Sequence, residues 1–434
     1  MYGLLDFDRS PPFAAPLRFF LVAPVFGMLA GLLLAVDGQE ALISRWSPAT
    51  LALTHLLTVG FMLHAMLGAL IQVLPVVAGV SLPHPGRLAA VLQASLSLGT
   101  LMLVAGFWGY VPFWLQAGGG IVLLVVLCFV ALVARYLLPA SNTSPTILAL
   151  KLSLVGLAGV VLLGFWLVLA MLKGTTLSLA VLTDLHVAWG LGAWAGILLA
   201  GVAFVVVPMF QLTPAYPARP SWLWPGAVVA LCLLGLPALG VSEEIWGRVM
   251  QGGLGLAGLA FAVLSLRLQA RRRRPRPDAT LRYWQLGLSA GALACALISV
   301  TAFFPAMSQQ AAWPLVMGVL LIGAGFMSLI AGMLYKIVPF LAWMHLQNLG
   351  QGQTPAPSMN QILADPPARR QFLSHLLAML VLLAAVIWPA GLARPAGICL
   401  LFSQGWLLVN LAQAAQCFDQ HRRAMGEAVS GSDG

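Results

Sequence analysis

Charge is what this chain has least of. Asp, Glu, Lys and Arg make up 8% of its 434 residues, where an average soluble domain carries about 25%. So few charges cannot cover a water-facing surface, which excludes a soluble enzyme, a disordered chain and a peripheral protein. No chain of acidic residues crosses an apolar run. The five cysteines (Cys128, Cys232, Cys295, Cys399 and Cys417) stand apart in apolar surroundings with no CxxC spacing. Neither a disulfide framework nor a zinc site is indicated. There is no HExxH and no glycine fingerprint for a nucleotide. The first eighteen residues are polar and proline-containing, and do not read as a cleavable signal.

What the chain has is apolar length. Hydrophobic residues reach 61%, and a spanning helix needs about 20 consecutive apolar residues. Twelve runs qualify: 16–36, 50–79, 88–108, 112–137, 147–171, 178–208, 221–241, 246–268, 283–304, 313–340, 371–390 and 395–417. Backbone polar groups in lipid must be satisfied within the segment, so runs of this length are expected to be helices. The fold expected is an all-α integral membrane protein, one membrane domain over 1–434.

The basic residues predict its direction. With the N-terminus in the cytoplasm, 18 Lys and Arg fall on the inner side and only Arg45, Lys173, Arg248 and Arg394 on the outer. That bias is the positive-inside rule, and it places both termini in the cytoplasm. Asp37, Glu40, Asp184, Glu243 and Glu244 fall outside. The net charge of +10 reads as topology and contact with anionic membrane lipids. The RRRRPRP run lies in a basic cytoplasmic linker, 269–282, between two spans. It therefore reads as a lipid contact and not as a nucleic-acid site. Lys151 and Lys336 are expected to snorkel to the headgroups. High Ala, Leu, Gly and Arg content with short loops suggests a bacterial inner membrane.

Three runs share one pattern. GALIQVLP ends the second, GVAFVVVP the sixth and GMLYKIVP the tenth, each a Gly, six residues and a Pro. Pro75, Pro208 and Pro339 stand 133 and 131 residues apart, about the length of four spans with loops. Runs six and ten also align upstream without gaps, Gly192 with Gly323, Ala193 with Ala324, and Phe204 with Tyr335. Such regularity marks an internal repeat: three pseudo-repeats of four helices, near 16–137, 147–268 and 283–417.

Ionisable groups inside apolar runs are costly and are functional candidates by default. His55 stands 20 residues before Pro75 and His186 stands 22 before Pro208, nearly equivalent places in two repeats near the outer side. Both are candidate metal or cofactor ligands. Met317 takes the corresponding place in the third repeat, and methionine can be an axial iron ligand or core filler. Asp184 either caps its helix or orients the His186 ring. His64, nine residues after His55, falls on the opposite helix face and must face protein or water. His84, His345 and His421 are expected to be solvated, and His375 to open the eleventh helix at its inner end. Gly190, Gly192, Gly196 and Gly201 allow close helix packing, or a flat cofactor against the backbone.

Twelve helices, three four-helix units and an outer-side histidine on the second helix resemble the heme–copper oxidase subunit I superfamily. The segment LTHLLTVGFMLHAMLGALIQVLPVVAG looks like that superfamily's second helix, whose histidine binds a low-spin heme, and HVAWGLGAWAGILLAGVAFVVVP is similar in style. The nearest likeness is to the smaller NnrS-type membrane proteins. The resemblance implies a heme on His55, with His186 or Met317 opposite. It does not extend to copper or to oxygen reduction. The seventh run has no histidine, and the tenth has none within the membrane.

The expectation is therefore an oxidase-like, heme-binding membrane protein that transfers electrons or responds to a diatomic gas, with a respiratory or redox protein as partner. It is not a functional oxygen reductase. Two other classes fit the same composition: a transporter of a metal or small solute, and a non-catalytic assembly partner of a respiratory complex.

Overall fold

The structure is a computed structural model that describes residues 9–140, 143–240, 244–274, 276–350 and 355–432, with side chains described as far as Met425. Among these, twelve helices are long and apolar enough to cross a membrane. The first four are α1 Ala14–Leu42, α2 Pro48–Ala78, α3 Pro85–Trp108 and α4 Pro112–Leu137. Then come α5 Pro145–Lys173, α6 Leu179–Gln211, α7 Ala218–Leu239 and α8 Ile245–Ala270. The last are α9 Ala279–Phe303, α10 Trp313–Leu349, α11 Asp365–Ile387 and α12 Pro389–Met425. They match the twelve apolar runs one for one, and no strand occurs among the described residues. The protein is an all-α polytopic membrane protein.

Local chemistry sets the ends. Ser47 caps α2 by accepting from the Thr50 N–H, with Pro48 in the first turn. Ser144 with Pro145 does the same for α5. Both follow the preference for a hydroxyl before the helix and proline just inside it. Gly79 closes α2 with φ of 68°, a left-handed turn that glycine adopts without strain. The break between the last two helices falls at Trp388, before the expected gap. Pro389 starts α12, and a residue preceding proline is pushed out of helical geometry. Pro395 lies inside α12.

Three helices change register in mid-span. α2 is π-helical over Leu56–Leu63, α6 over Ala188–Gly196 and α10 over Val319–Met327. The π segments begin 132 and 131 residues apart, in the same three helices that carry Pro75, Pro208 and Pro339. Sustained π-helix is rare and often marks a functional site. α2 and α10 are also the most enclosed spans: 83% and 78% of their apolar windows are buried, against 28–56% elsewhere.

The remaining helices wrap this centre. From α2 through α6 each helix packs on the next, and α8 packs closely on α9. The chain closes on itself where α1 meets α12. There a Cβ on Gly31 would fall 2.4 Å from the Leu401 backbone nitrogen, and one on Gly397 2.4 Å from the Ala35 nitrogen. Small residues of this kind let membrane helices approach to backbone contact. Phe13 packs on Phe418 at 4.4 Å, so the first and last helices share one end of the bundle, the terminal face.

Lys336 is not free to snorkel. Its Nζ lies 2.8 Å from Asp278 Oδ2, and both side chains are largely buried. Asp278 also caps α9 by accepting from the Leu281 N–H at 3.0 Å and pairs with Arg274 at 3.2 Å. Burial pushes the Asp278 carboxyl up. Lys336, the Leu281 N–H and Arg274 together outweigh that and hold it below the usual carboxylate value. The corresponding stability is complete above the unfolded pKa of about 3.9 and is lost as pH falls through the lower folded value.

Two outcomes follow. Gly397→Leu forces side-chain atoms into the α1 backbone and should destabilise the protein by about 1–3 kcal/mol. A thermal-unfolding series in detergent checks this against Gly226→Ala, a position with no neighbour in the way. Asp278→Asn should lower the melting temperature at pH 7 and flatten its decline below about pH 4. An acid limb identical to that of the unaltered protein would contradict the assignment.

Candidate functional site

His55 and His186 come from helices that make no extended contact with each other. α2 and α6 are the two ends of the run of successively packed helices α2–α6, and the two histidines nonetheless lie side by side. The ring centres are 6.5 Å apart and the planes differ by 26°. Each histidine lies in the last α-helical turn before a π segment, His55 next to Leu56 and His186 two residues before Ala188. His55 is seven residues into α2, about 10 Å along its axis, so the pair sits nearer the face opposite the chain termini.

Both rings are fixed in the same way. His55 Nδ1 bonds the Leu51 carbonyl on its own helix at 2.8 Å. His186 Nδ1 bonds the Val160 carbonyl of α5 at 3.0 Å. A carbonyl can only accept, so each Nδ1 carries the proton and each neutral ring has its lone pair on Nε2. Neither Nε2 has a protein partner among the described residues. Phe107 of α3 backs His55, stacked at 5.0 Å. Gly164 of α5 backs His186; a Cβ there would lie 2.9 Å from its Cε1.

Asp184 neither caps α6 nor touches His186. Ser178 is the cap, accepting from the Val181 N–H. The Asp184 carboxylate instead receives Arg45 Nη1 at 2.8 Å and Gln251 Nε2 at 3.3 Å. Arg45, from the loop before α2, thus ties that loop to α6 two residues from His186. A cation stranded on the outer side had found its acid, and sequence spacing gave no sign of that pairing. Met317 is also in the turn before its π segment, but it packs in the main apolar core. No hydrogen bond or ring contact joins it to either histidine among the described residues.

His64, His345 and His375 are held by other partners, and His84 is exposed as expected. His64 is fully buried; the π segment Leu56–Leu63 lies between it and His55, so the nine-residue spacing of a regular α-helix does not set their relative faces, and both rings meet α3. His64 bonds the Val59 carbonyl and Ser97 Oγ, each at 3.0 Å. His345 is half-buried and its ring nitrogens lie 3.0 Å from the Leu341 and Pro11 carbonyls. His375 does not open α11, which starts at Asp365; it is fully buried with Nε2 2.9 Å from Ser328 Oγ. Near it, one amide ties four helices. Gln371 of α11 accepts from the hydroxyls of Tyr283 on α9 and Tyr335 on α10 and donates to the Ser403 carbonyl on α12. Every polar atom of Gln371 is satisfied, which marks a structural pin.

No protein-family model matches the chain, and no curated protein is similar to it.

The Arg45–Asp184 pair is about one-third exposed at each end, so it should be worth less than about 1 kcal/mol to stability. A double-mutant cycle with Arg45→Ala and Asp184→Ala measures it. A coupling of several kcal/mol would mean that the ion pair, and not the rest of the packing, holds α6 to the loop before α2.

Proposed function

We propose that the protein is a heme-binding membrane protein whose iron is held between His55 and His186. The observation that carries the reading is the spacing of the pair. A metal bonded to one nitrogen of each ring at about 2.0–2.1 Å separates the ring centres by about 6.4 Å once the ring radii are added. The observed value is 6.5 Å. The donor set fits as well, because a ligating histidine almost always donates its other N–H to a carbonyl or carboxylate, which fixes its tautomer and direction. Here that partner is Leu51 for one ring and Val160 for the other. α2 and α6 make no extended contact with each other, so helix packing does not hold their backbones together at the pair.

When bound, the heme supplies one-electron chemistry that no side chain of this protein supplies. The residues do the rest. His55 and His186 would hold the group through their neutral imidazole nitrogens. The Leu51 and Val160 carbonyls stop the rings from rotating. Phe107 and Gly164 close the space behind them. Met317 lies outside this arrangement. On the charge distribution the pair faces the outer side of a bacterial inner membrane, where a redox protein would exchange electrons with it.

Absorbance of the detergent-purified protein, oxidised and then reduced, with iron and copper assayed on the same sample, tests this. The result expected is a Soret band with stoichiometric iron and no copper. His55→Ala and His186→Ala should each abolish or strongly alter the band at unchanged elution volume, and Met317→Leu should leave it alone. A featureless spectrum after expression with ample heme would defeat the reading, as would an unchanged band in His55→Ala.

A further inference from the structure

We infer that the terminal-face end of α8 and the arginine linker after it form a binding site for a phospholipid with two phosphates, of the cardiolipin type. The inference does not depend on the heme reading. α7 and α8 are the least enclosed spans, each 28% buried. α8 packs inward through Met250, Gly255, Ala262 and Ser265. Val249, Leu256, Ala260 and Arg267 are exposed, and their spacings of seven, four and seven residues keep them on one helix face. Arg271, four residues after Arg267, caps the helix on that face and is exposed too. Leu256 and Arg267 stand about 16 Å apart along the axis, about half the thickness of the hydrocarbon core. The stripe therefore offers an apolar track for an acyl chain and a guanidinium at the level where its phosphate begins.

The charge at that level has no acid to meet. Among the described side chains on the terminal face, Asp278 is paired with Arg274 and Lys336, Asp365 with Arg369 and Asp419 with Arg422. Arg267, Arg271, Arg273 and Arg276 are exposed, and none of the four pairs with a carboxylate among the described residues. A guanidinium binds phosphate through a planar fork of N–H donors, so four of them suit two phosphates better than one. A zwitterionic headgroup brings its own cation, which the four arginines repel. The linker is held in place before any lipid arrives. The Arg273 N–H donates to the Leu212 carbonyl at the end of α6 at 3.0 Å, and Asp278 ties the other end of the linker to Lys336 of α10. A fixed backbone lowers the ordering cost of binding. Basic sites at the cytoplasmic ends of spans suit such doubly charged headgroups.

Native mass spectrometry of the full-length protein in detergent, titrated with cardiolipin, phosphatidylglycerol or phosphatidylcholine, tests this. One cardiolipin should be retained, at least about tenfold more tightly than phosphatidylglycerol, and phosphatidylcholine should not be retained. Arg267→Gln with Arg271→Gln should weaken cardiolipin binding about thirtyfold at unchanged elution volume. Arg135→Gln with Arg423→Gln removes the same charge from other exposed positions on the terminal face and should leave binding unchanged. An equal loss in both double variants would show attraction to net charge alone and overturn the inference. Equal affinity for cardiolipin and phosphatidylglycerol would overturn the assignment of two phosphates. Release of bound cardiolipin by pyrophosphate would make the ligand a free phosphate compound, and release by a short DNA duplex would make it nucleic acid; either would also overturn the inference.

Discussion

A buried imidazole has two nitrogens, and one backbone carbonyl satisfies only one of them. How the second is satisfied separates the histidines of this protein. At His64 it is Ser97, so the ring is complete and structural. At His375 it is Ser328 that bonds Nε2, while Nδ1 lacks a protein partner. The two serine bonds are related: His64 and Ser328 are 264 residues apart, as are Pro75 and Pro339. The second helix donates the histidine in one case and the serine in the other. At His55 and His186 carbonyls satisfy Nδ1 on both rings, each Nε2 is left without a protein partner among the described residues, and the ring centres lie 6.5 Å apart. Among the described residues those two histidine rings are stacked on each other, and the functional reading depends on that.

The π segments explain how such a pair is placed. His55 and His186 precede π segments in helices that are otherwise regular. A change from i+4 to i+5 bonding rotates everything beyond it relative to what came before. The histidine can therefore meet its partner ring while the π half and the proline-containing half of the same helix pack inward. In α10 the same turn ends in Met317, which is buried among apolar side chains.

Much of the architecture was legible in the sequence because lipid imposes it. Twelve apolar runs became twelve helices, and the Gly-x6-Pro pattern fell in the three helices that carry π segments. The candidate site was legible in part. His55 and His186 stood out as rare polar groups at matched distances from a proline, yet nothing in the spacing showed that they face each other. That depends on the packed run α2–α6 bringing its ends together. Asp184 was misread because local spacing favours caps and near neighbours, whereas its partner Arg45 lies 139 residues away. Lys336 was misread for the same reason: it meets Asp278 from another helix. His375 was placed at a helix end because Asp365 and two prolines, which start α11, look like a loop until proline's tolerance in the first turn is considered.

A density map of the detergent-solubilised protein by electron microscopy would test the central claim most directly, at a resolution that separates the two imidazoles. The account predicts a flat density between α2 and α6, with its centre equidistant from His55 and His186 and both Nδ1 atoms on the Leu51 and Val160 carbonyls. Rings turned away from each other, or a gap filled by protein or lipid side by side with an iron-free sample, would contradict it.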